Sequence, residues 1–328
     1  MRNVWTENLF AEVLEAPATR GCNELHIVTG YAAATMASRH LSRLADVTRA
    51  RLSVSLIVGM TPADGISPEN HQGFQALAED NPWANFQCSY VMRDRPPVHA
   101  KLYVWMQNGE PTEAYTGSAN YTQNAFSGRQ RELMTAADPI KGLRFYDALA
   151  AADTIFCDHG EVAEYVQLQA QRRFPGTGGA PSQEPASGGS SNNEGLASVV
   201  CSLMTSRGKM HRTAGLNWGQ RLRRNSNEAY IPVTAKVARS GFFPPVGDHF
   251  MVLTDDDKSF ICVRAQGEYG KAIETPANNS WLGEYFRRRL GLAGGVPVTE
   301  ANLQRYGRTS VTFYKIDDGT YSMDFAPP

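Results

Sequence analysis

The chain has 328 residues, of which 42% are apolar and 20% charged, a composition typical of a soluble globular protein with room for two domains. No window approaches the roughly 18 consecutive apolar residues that cross a bilayer, and the first ten residues lack the apolar run of a secretion signal, so we expect a cytoplasmic protein without a membrane partner. The five cysteines are too widely spaced for a metal cluster or a disulfide framework, and a net charge of −1 favours no partner by itself.

The first half of the chain alternates between helix and strand patterns. Helices are predicted over residues 6–15, 33–46, 68–80 and 140–166, and strands over 24–31, 52–60, 85–92, 98–106, 113–120 and 131–136. This alternation predicts an α/β domain, a mixed sheet with helices on both faces.

Residues 175–195 contain six Gly, three Pro and four Ser, which predicts a flexible linker. Beyond it, strands are predicted over 230–237, 249–254, 259–266 and 310–316, with one basic helix near 280–290. Short strands and turns predict a small barrel-like β domain. The expected organisation is therefore a domain over 1–174, a linker over 175–195 and a second domain over 196–328.

Charge is distributed unevenly between these halves. Residues 1–175 contain 15 basic and 19 acidic residues, a net charge of −4, whereas residues 191–328 contain 17 basic and 13 acidic residues, a net charge of +4. An acidic half joined to a basic half suggests two functions, with the basic half facing a polyanion.

His99 and Lys101 alternate with apolar residues in the stretch VHAKLYVW. In a strand, His99, Lys101 and Tyr103 would point to one face and the apolar residues between them to the other. A lysine on an inward face is costly without an anionic ligand. The pair therefore predicts an anion-binding site, although His99 alone would be interpreted as a core histidine.

A second polar pair follows in TGSANYT, at the end of the next predicted strand. Ser118 and Asn120 share one face, and Gly117 allows close backbone approach. This set suits attack on a phosphodiester without a metal ion. His99 would be the nucleophile and form a phosphohistidine, Lys101 would neutralise the non-bridging oxygens, and the serine and asparagine would donate hydrogen bonds to the developing charge.

HxK followed by GSxN resembles the signature of the phospholipase D superfamily, over roughly residues 20–165. That superfamily usually has an Asp five residues after the Lys, where this chain has Met106. The chain is in this respect more similar to restriction endonucleases of the BfiI and NgoFVII type, which lack the Asp and use a Glu about a dozen residues past the Asn. The resemblance implies that Glu132 joins the site and orients a partner histidine; an ordinary solvated carboxylate is the alternative.

This chemistry needs a second imidazole, which protonates the leaving oxygen and later activates water. None of the other six histidines is followed by Lys two positions later, so the chain contains one half of a two-histidine site. We therefore expect a homodimer formed through the N-terminal domain, with one composite site on its two-fold axis that cuts the two DNA strands in turn.

Residues 211–233, HRTAGLNWGQRLRRNSNEAYIPV, interleave arginines and amides around a tryptophan. Arg pairs with guanine edges, Asn and Gln pair with adenine edges, and further arginines hold phosphates. A solvated basic loop is the alternative. The predicted DNA-binding residues of this stretch are Arg212, Asn217, Trp218, Gln220, Arg221, Arg223, Arg224, Asn225 and Asn227.

GLNWGQ followed by NEAYIPV resembles the DNA-binding domain of the same restriction enzymes. That domain is a β pseudobarrel related to plant B-three transcription-factor domains, and it grips the major groove with two arms. The resemblance implies an N-terminal arm over about 211–228 and a C-terminal arm over 271–281, where the candidate contacts are Lys271, Asn278, Asn279 and Ser280. The run FRRRL at 286–290 is predicted to be a charged helix face, with a phosphate patch as the alternative.

The leading hypothesis is a sequence-specific restriction endonuclease that cuts double-stranded DNA with no divalent metal or other cofactor in this chain. The resemblance also implies a prokaryotic cytoplasmic enzyme, a companion DNA methyltransferase, and a separate helicase-like ATPase subunit. ATP would enter only through that subunit, because the chain has no GxxxxGK[ST] loop.

Two alternatives stay open. One is a nonspecific nuclease or a lipid phosphodiesterase with the same catalytic fold, although the basic, Arg- and Asn-rich second half disfavours a lipid substrate. The other is a DNA-binding regulator with an inactive catalytic site, which the missing Asp suggests.

Overall fold

The structure is a computed structural model that describes residues 4–48, 50–169 and 195–328. All of the predicted linker except Gly195 lies outside the described residues. The described residues fall into two compact units, one on each side of that segment.

The first unit is built on an eight-stranded mixed sheet. Its strands are β1 (Val4–Trp5), β2 (Glu24–Thr29), β3 (Leu52–Val58), β4 (Ala84–Val91), β5 (Lys101–Gln107), β6 (Glu110–Gly117), β7 (Met134–Ala137) and β8 (Thr154–Phe156). They lie in the order β1-β7-β6-β5-β2-β3-β4-β8. The pairs β2–β3 and β3–β4 are parallel, and the others are antiparallel.

Helices cover both faces of this sheet, as predicted. They are a π-helical segment (Phe10–Glu15) that continues into α1 (Ala16–Thr19), followed by α2 (Ala34–Thr48), α3 (Thr61–Asp64), α4 (Pro68–Glu79), α5 (Gln123–Phe126), α6 (Pro139–Ala152) and α7 (Val162–Tyr165). On one face, Leu102 and Val104 of β5 pack in a cluster with Leu149 of α6. On the other, the Trp105 indole donates to the Val13 carbonyl, 2.8 Å away.

Several boundaries of the first unit differ from the prediction. The strand predicted over 113–120 ends at Gly117, so Ser118 and Asn120 lie just beyond β6. The strand predicted over 98–106 begins at Lys101, so His99 lies in the segment just before β5. The helical region predicted over 140–166 is interrupted by β8, which pairs with β4 at the sheet edge. Three residues are too few for an alternating pattern to appear in the sequence.

The second unit is a seven-stranded sheet around an aromatic core. Its strands are β9 (Ser198–Ser202), β10 (Ile231–Pro232), β11 (His249–Thr254), β12 (Ser259–Ala265), β13 (Ala272–Glu274), β14 (Ser310–Lys315) and β15 (Thr320–Asp324). They lie in the order β10-β13-β12-β11-β15-β14-β9, and the two edge strands β9 and β10 approach each other, so the sheet is nearly closed. This confirms the predicted barrel-like β domain.

The core and helices of the second unit are well defined. Phe243 packs edge-on or tilted against Phe250, Phe313 and Tyr321, with ring centroids between 5.2 and 5.7 Å apart. The helices are a 3₁₀ turn (Gly215–Gln220), α8 (Ala235–Arg239), α9 (Ser280–Arg289) and α10 (Glu300–Tyr306). No helix among the described residues is both long enough and apolar enough to cross a membrane.

The strand predicted over 230–237 is wrong in its second half. It ends at Pro232, and Thr234 then caps α8 by accepting a hydrogen bond from the Val237 amide. A side-chain oxygen at this position stabilises the first turn of a helix, and here it outweighs the β-branched residues that suggested a strand.

Candidate active site and DNA-reading arms

The backbone at the ends of β3 and β5 places His99 and Lys101 side by side. The Val98 amide donates to the Gly59 carbonyl over 2.8 Å, and a Cβ at position 59 would clash with the Val98 carbonyl. Glycine at that position therefore lets the chain before β5 pass close to the end of β3. His99, which follows at once, is exposed.

Lys101 is buried, with 7% of its surface exposed, at the first position of β5. Its Nζ lies 3.0 Å from Nε2 of His99 and also donates to the His99 carbonyl over 3.0 Å. Burial lowers the pKa of Lys101, and the negative charge of Glu132 opposes that shift. A cation is thus held against an imidazole nitrogen, an arrangement that favours an anionic ligand.

Ser118 and Glu132 meet where β6 ends beside the chain leading into β7. The Ser118 amide donates to the Leu133 carbonyl over 3.0 Å, and the Leu133 amide donates to the Ser118 hydroxyl, also over 3.0 Å. The Ser118 hydroxyl donates in turn to the Glu132 carboxylate. A Cβ at Gly117 would clash with the Leu133 carbonyl, so this close approach requires glycine.

Asn120 is oriented by groups at the end of β2. Its Oδ1 accepts from the Tyr31 amide over 3.1 Å and lies 3.3 Å from the Thr29 hydroxyl. The Asn120 oxygen thus accepts hydrogen bonds from the protein, and the amide nitrogen is oriented to donate to a substrate. Lys101 is paired with Thr29 across β5 and β2, so the lysine and the asparagine are held by the same strand.

A second layer of buried side chains supports the segment that contains Ser118 and Asn120, residues 117–120. The Tyr103 hydroxyl donates to the Ala119 carbonyl over 2.9 Å. His40 Nδ1 lies 2.7 Å from the Tyr121 hydroxyl, and its Nε2 lies 3.1 Å from the Leu14 carbonyl. The backbone on both sides of Asn120 is therefore fixed from the protein interior.

Tyr31 adds an aromatic wall beside the imidazole. Its ring meets the ring of His99 edge-on, with centroids 5.9 Å apart, and its hydroxyl donates to Asp64 over 2.6 Å. Burial, together with the Asp64 carboxylate, raises the pKa of Tyr31 to about 12. Sequence reasoning missed Tyr31 and Thr29, although a glycine between them, at the end of a predicted strand, was a signal.

Met106 stands where the superfamily usually has an acidic residue. It is 5% exposed and belongs to the apolar cluster between the sheet and α6. Its side chain thus fills the core.

In the second unit, the structure divides the predicted N-terminal arm residues into an exposed and an internal set. The exposed residues are Arg212, Arg221, Arg223, Arg224 and Asn225. Arg224 lies over the Trp218 ring, 3.7 Å from its centre, and pairs with Glu228. Trp218 itself is buried, so it supports the arginine from behind.

Asn217, Gln220 and Asn227 use their amides within the domain. Asn217 is 3% exposed; its nitrogen donates to the His211 and Val298 carbonyls, and its oxygen accepts from the Val298 amide. Gln220 donates to the Ser226 and Gly295 carbonyls. Asn227 accepts from the Gly295 amide over 2.6 Å and donates to Glu284. These side chains hold the arm in place instead of facing outward.

The arginines of FRRRL also belong mostly to the interior, which corrects the predicted charged face. Arg287 is 1% exposed and donates five hydrogen bonds to backbone carbonyls, those of Val296, Asn227, Gly283, Leu216 and Ser226. Arg289 forms a two-point pair with Asp255, with contacts of 2.6 and 3.1 Å. Arg288 is the exposed member and lies 3.5 Å from Asp256.

The predicted C-terminal arm contacts the residue that follows the N-terminal arm. The Ala229 amide donates to the Asn279 carbonyl over 3.1 Å. Lys271 is exposed, Asn278 accepts from the Ser280 amide over 3.0 Å, and Ser280 is buried. Oδ1 of Asn279 is buried and has no hydrogen-bond partner among the described residues.

Two family models match the chain. The NgoFVII restriction endonuclease N-terminal PLD domain matches residues 7–164, and the NgoFVII C-terminal B3-like DNA-binding domain matches residues 192–317. No curated protein matches.

Three solved structures are similar to part of the chain. NucT from Helicobacter pylori is 14% identical over 46% of this chain and 95% of its own, with a TM-score of 0.32. A phospholipase D family member, Nuc from Salmonella typhimurium, is 13% identical over 47% and 94%, with a TM-score of 0.31. Polyphosphate kinase from Porphyromonas gingivalis is 12% identical over 48% and 24%, with a TM-score of 0.32.

The two family models follow each other along most of the chain, and they match the two units that the structure separates. The chain therefore belongs to the NgoFVII family of restriction endonucleases, and it is a DNA endonuclease with a phospholipase D-type hydrolase domain and a B3-like DNA-binding domain.

Proposed function

We propose that this endonuclease cuts at a specific DNA sequence, without a metal ion, through a phosphohistidine intermediate at a site shared by two copies of the chain. The observation that carries this proposal is the buried Lys101 ammonium, 3.0 Å from Nε2 of the exposed His99. A phosphate oxygen bound by that ammonium would bring its phosphorus next to the imidazole nitrogen.

In the first step, Nε2 of His99 attacks the phosphorus and the bond to the leaving oxygen breaks. Lys101 neutralises a non-bridging oxygen, and the Asn120 amide nitrogen donates to the charge that builds up. The Ser118 hydroxyl, which donates to Glu132 in this structure, lies at the end of the neighbouring strand β6. Donors fixed before the reaction stabilise the transition state at no cost in reorganisation.

The leaving oxygen takes a proton from a second imidazole. In the second step, the same imidazole removes a proton from water, which attacks the phosphohistidine, releases the DNA phosphate and restores His99. In the described part of the first unit, the other histidines have different surroundings. His40 is buried behind the site, His71 contacts Tyr90, His26 pairs with Glu24, and the exposed His159 accepts a hydrogen bond from the Glu161 amide. A second copy of the chain is therefore the proposed source of the second imidazole.

Sequence recognition is assigned to the two arms of the B3-like domain. The exposed side chains Arg212, Arg221, Arg223 and Asn225, together with Lys271, are available for bases or phosphates. A companion methyltransferase and a helicase-like ATPase subunit are proposed as partners on the family resemblance alone.

The mechanism is tested with the purified chain and a plasmid of known sequence. Cleavage into discrete fragments should persist in excess EDTA, because no step needs a metal ion. His99→Ala should abolish cutting while DNA binding is retained, whereas His159→Ala, an exposed histidine elsewhere in the same unit, should cut normally.

Other outcomes would support different functions. Loss of cleavage in EDTA would contradict the metal-independent mechanism. A smear without discrete fragments would favour a nonspecific nuclease, and release of lipid headgroups a lipid phosphodiesterase. Complete absence of cutting, with and without ATP, would favour the inactive DNA-binding regulator, the candidate that Met106 supports.

A further inference from the structure

The exposed tip of the N-terminal arm, residues 221–226, contains one large apolar side chain. Leu222 is 90% exposed, more than any other large hydrophobic residue in the described part of the chain. Fully burying a leucine is worth roughly 2 kcal/mol, so the protein gains little from this side chain on its own. Single exposed apolar residues are common on surfaces, and the surroundings of this one must decide its role.

The tip is closed at its base by hydrogen bonds. The backbone amide of Gly219 donates to the Glu228 carbonyl over 2.7 Å. The side-chain amide nitrogen of Gln220 donates to the Ser226 carbonyl over 3.1 Å. A Cβ at Gly219 would clash with the Asn225 carbonyl, so the two sides of the loop are in close contact. The buried Arg287 holds the far side of the loop through the Ser226 carbonyl.

Within the tip, the backbone conformation is also specified. Arg223 has a φ of +67°, in the left-handed region that favours glycine. The Arg224 amide donates to the Arg221 carbonyl over 3.3 Å, and the Arg224 side chain is held between Trp218 and Glu228. Leu222 is therefore presented on a closed turn whose two ends are fixed.

The exposed leucine lies between two arginines in the chain. Arg221 and Arg223 are its neighbours in the chain, and both are exposed. The Arg221 side chain donates to the Thr213 carbonyl over 2.8 Å, which brings the segment that contains Arg212 alongside. An exposed apolar side chain between two exposed arginines of the chain suits a polyanion that has an apolar feature at its surface. In the major groove of DNA, that feature is the C5-methyl group of thymine.

We propose that Leu222 is a specificity-determining residue that contacts the 5-methyl group of a thymine in the recognition sequence. This inference rests on the proposed function, sequence-specific binding by the arms. The neighbouring arginines bind phosphates or guanine edges. The leucine adds a preference for thymine at one base position, because cytosine lacks the methyl group.

The test uses the full-length chain with His99→Ala, so that bound DNA stays intact. The preferred sequence is first selected from random duplexes. Each thymine of the selected duplex is then replaced in turn by deoxyuridine, which removes one methyl group and keeps the base pairing. DNA affinity is compared between the parent protein and its Leu222→Ala variant. Val200→Ala is the control, because Val200 lies in the same unit and is 60% exposed.

We expect one thymine at which deoxyuridine weakens binding about fourfold, the effect of burying one methyl group. At that position Leu222→Ala should bind both duplexes equally, and Val200→Ala should behave like the parent. If deoxyuridine has no effect at any thymine, or if Leu222→Ala keeps the discrimination, the inference is wrong while the proposed function stands. If no sequence can be selected at all, both are wrong.

Discussion

His40 lies one layer behind the candidate active site and is completely buried. Burial lowers its pKa to about 4, although the Leu14 carbonyl acts in the opposite direction. In the unfolded chain the same imidazole has a pKa near 6.5. The unfolded state therefore binds more protons between these values, and the free energy of unfolding must fall as the pH decreases through this range.

We predict that His40 alone costs the protein about 2 kcal/mol of stability between pH 7 and pH 5. The measurement is urea unfolding of the wild type and of His40→Gln at both pH values. Glutamine does not titrate, so the variant should lose less stability on acidification. Burial also lowers the pKa of His71, but that residue is present in both proteins and cancels in the comparison. Equal losses in the two proteins would show that folding does not lower the pKa of His40.

The site could be predicted from the sequence where its residues are close in the chain, and not where they are distant. His99 and Lys101 are two positions apart, and Ser118 and Asn120 form a similar pair, so each pair is visible in the sequence even though only Lys101 lies within a strand. The contact from Asn120 to Tyr31 spans 89 residues and the contact from Tyr121 to His40 spans 81. Such contacts depend on the order of the strands in the sheet, and the alternation of apolar and polar residues in the sequence does not specify that order.

At the scale of elements, α9 holds the N-terminal arm through Arg287. Four of its hydrogen bonds to backbone carbonyls join this helix to the N-terminal arm and to the loop at Val296, and a fifth is made to Gly283 in the same helix. Burial lowers the pKa of Arg287, and the negative charge of Glu284 opposes that shift. A planar guanidinium can bond five separate carbonyls, whereas the ammonium of lysine has three donors at one point.

Arg287→Lys should therefore destabilise the second unit by about 2 kcal/mol or more, since several buried carbonyls lose their donor. Arg288→Lys is the matched control on the same helix and should stay within about 0.5 kcal/mol, because Arg288 is exposed. Thermal unfolding of the full chain measures both. Similar effects from the two substitutions would mean that the contacts of Arg287 contribute nothing specific.

The elements of the second unit show which patterns were informative. The strand at His249–Thr254 was predicted with its observed bounds, and the one at Ser259–Ala265 to within one residue. The short strands at Ala272–Glu274 and Thr320–Asp324 were missed, although both pair with longer strands. Their stability comes from neighbours that are distant in sequence, and local propensity carries little of that information.

At the scale of the whole molecule, the proposed chemistry requires two imidazoles at one phosphorus, and one chain supplies His99. If two copies share a single site, removing either His99 removes a group that each cleavage needs. If each chain instead holds a complete site, the two copies work independently. The two cases predict different activities for a dimer that has one intact and one altered copy.

Such a dimer can be isolated by co-expressing two differently tagged copies and purifying through both tags. With wild type and His99→Ala, we expect nearly complete loss of cleavage, whereas independent sites would leave roughly half of the activity. The same preparation with His159→Ala in place of His99→Ala should be fully active, because that exposed side chain lies outside the proposed site. Half activity in the first dimer, or failure to recover any dimer, would contradict a shared site and would require the second imidazole to come from within the chain.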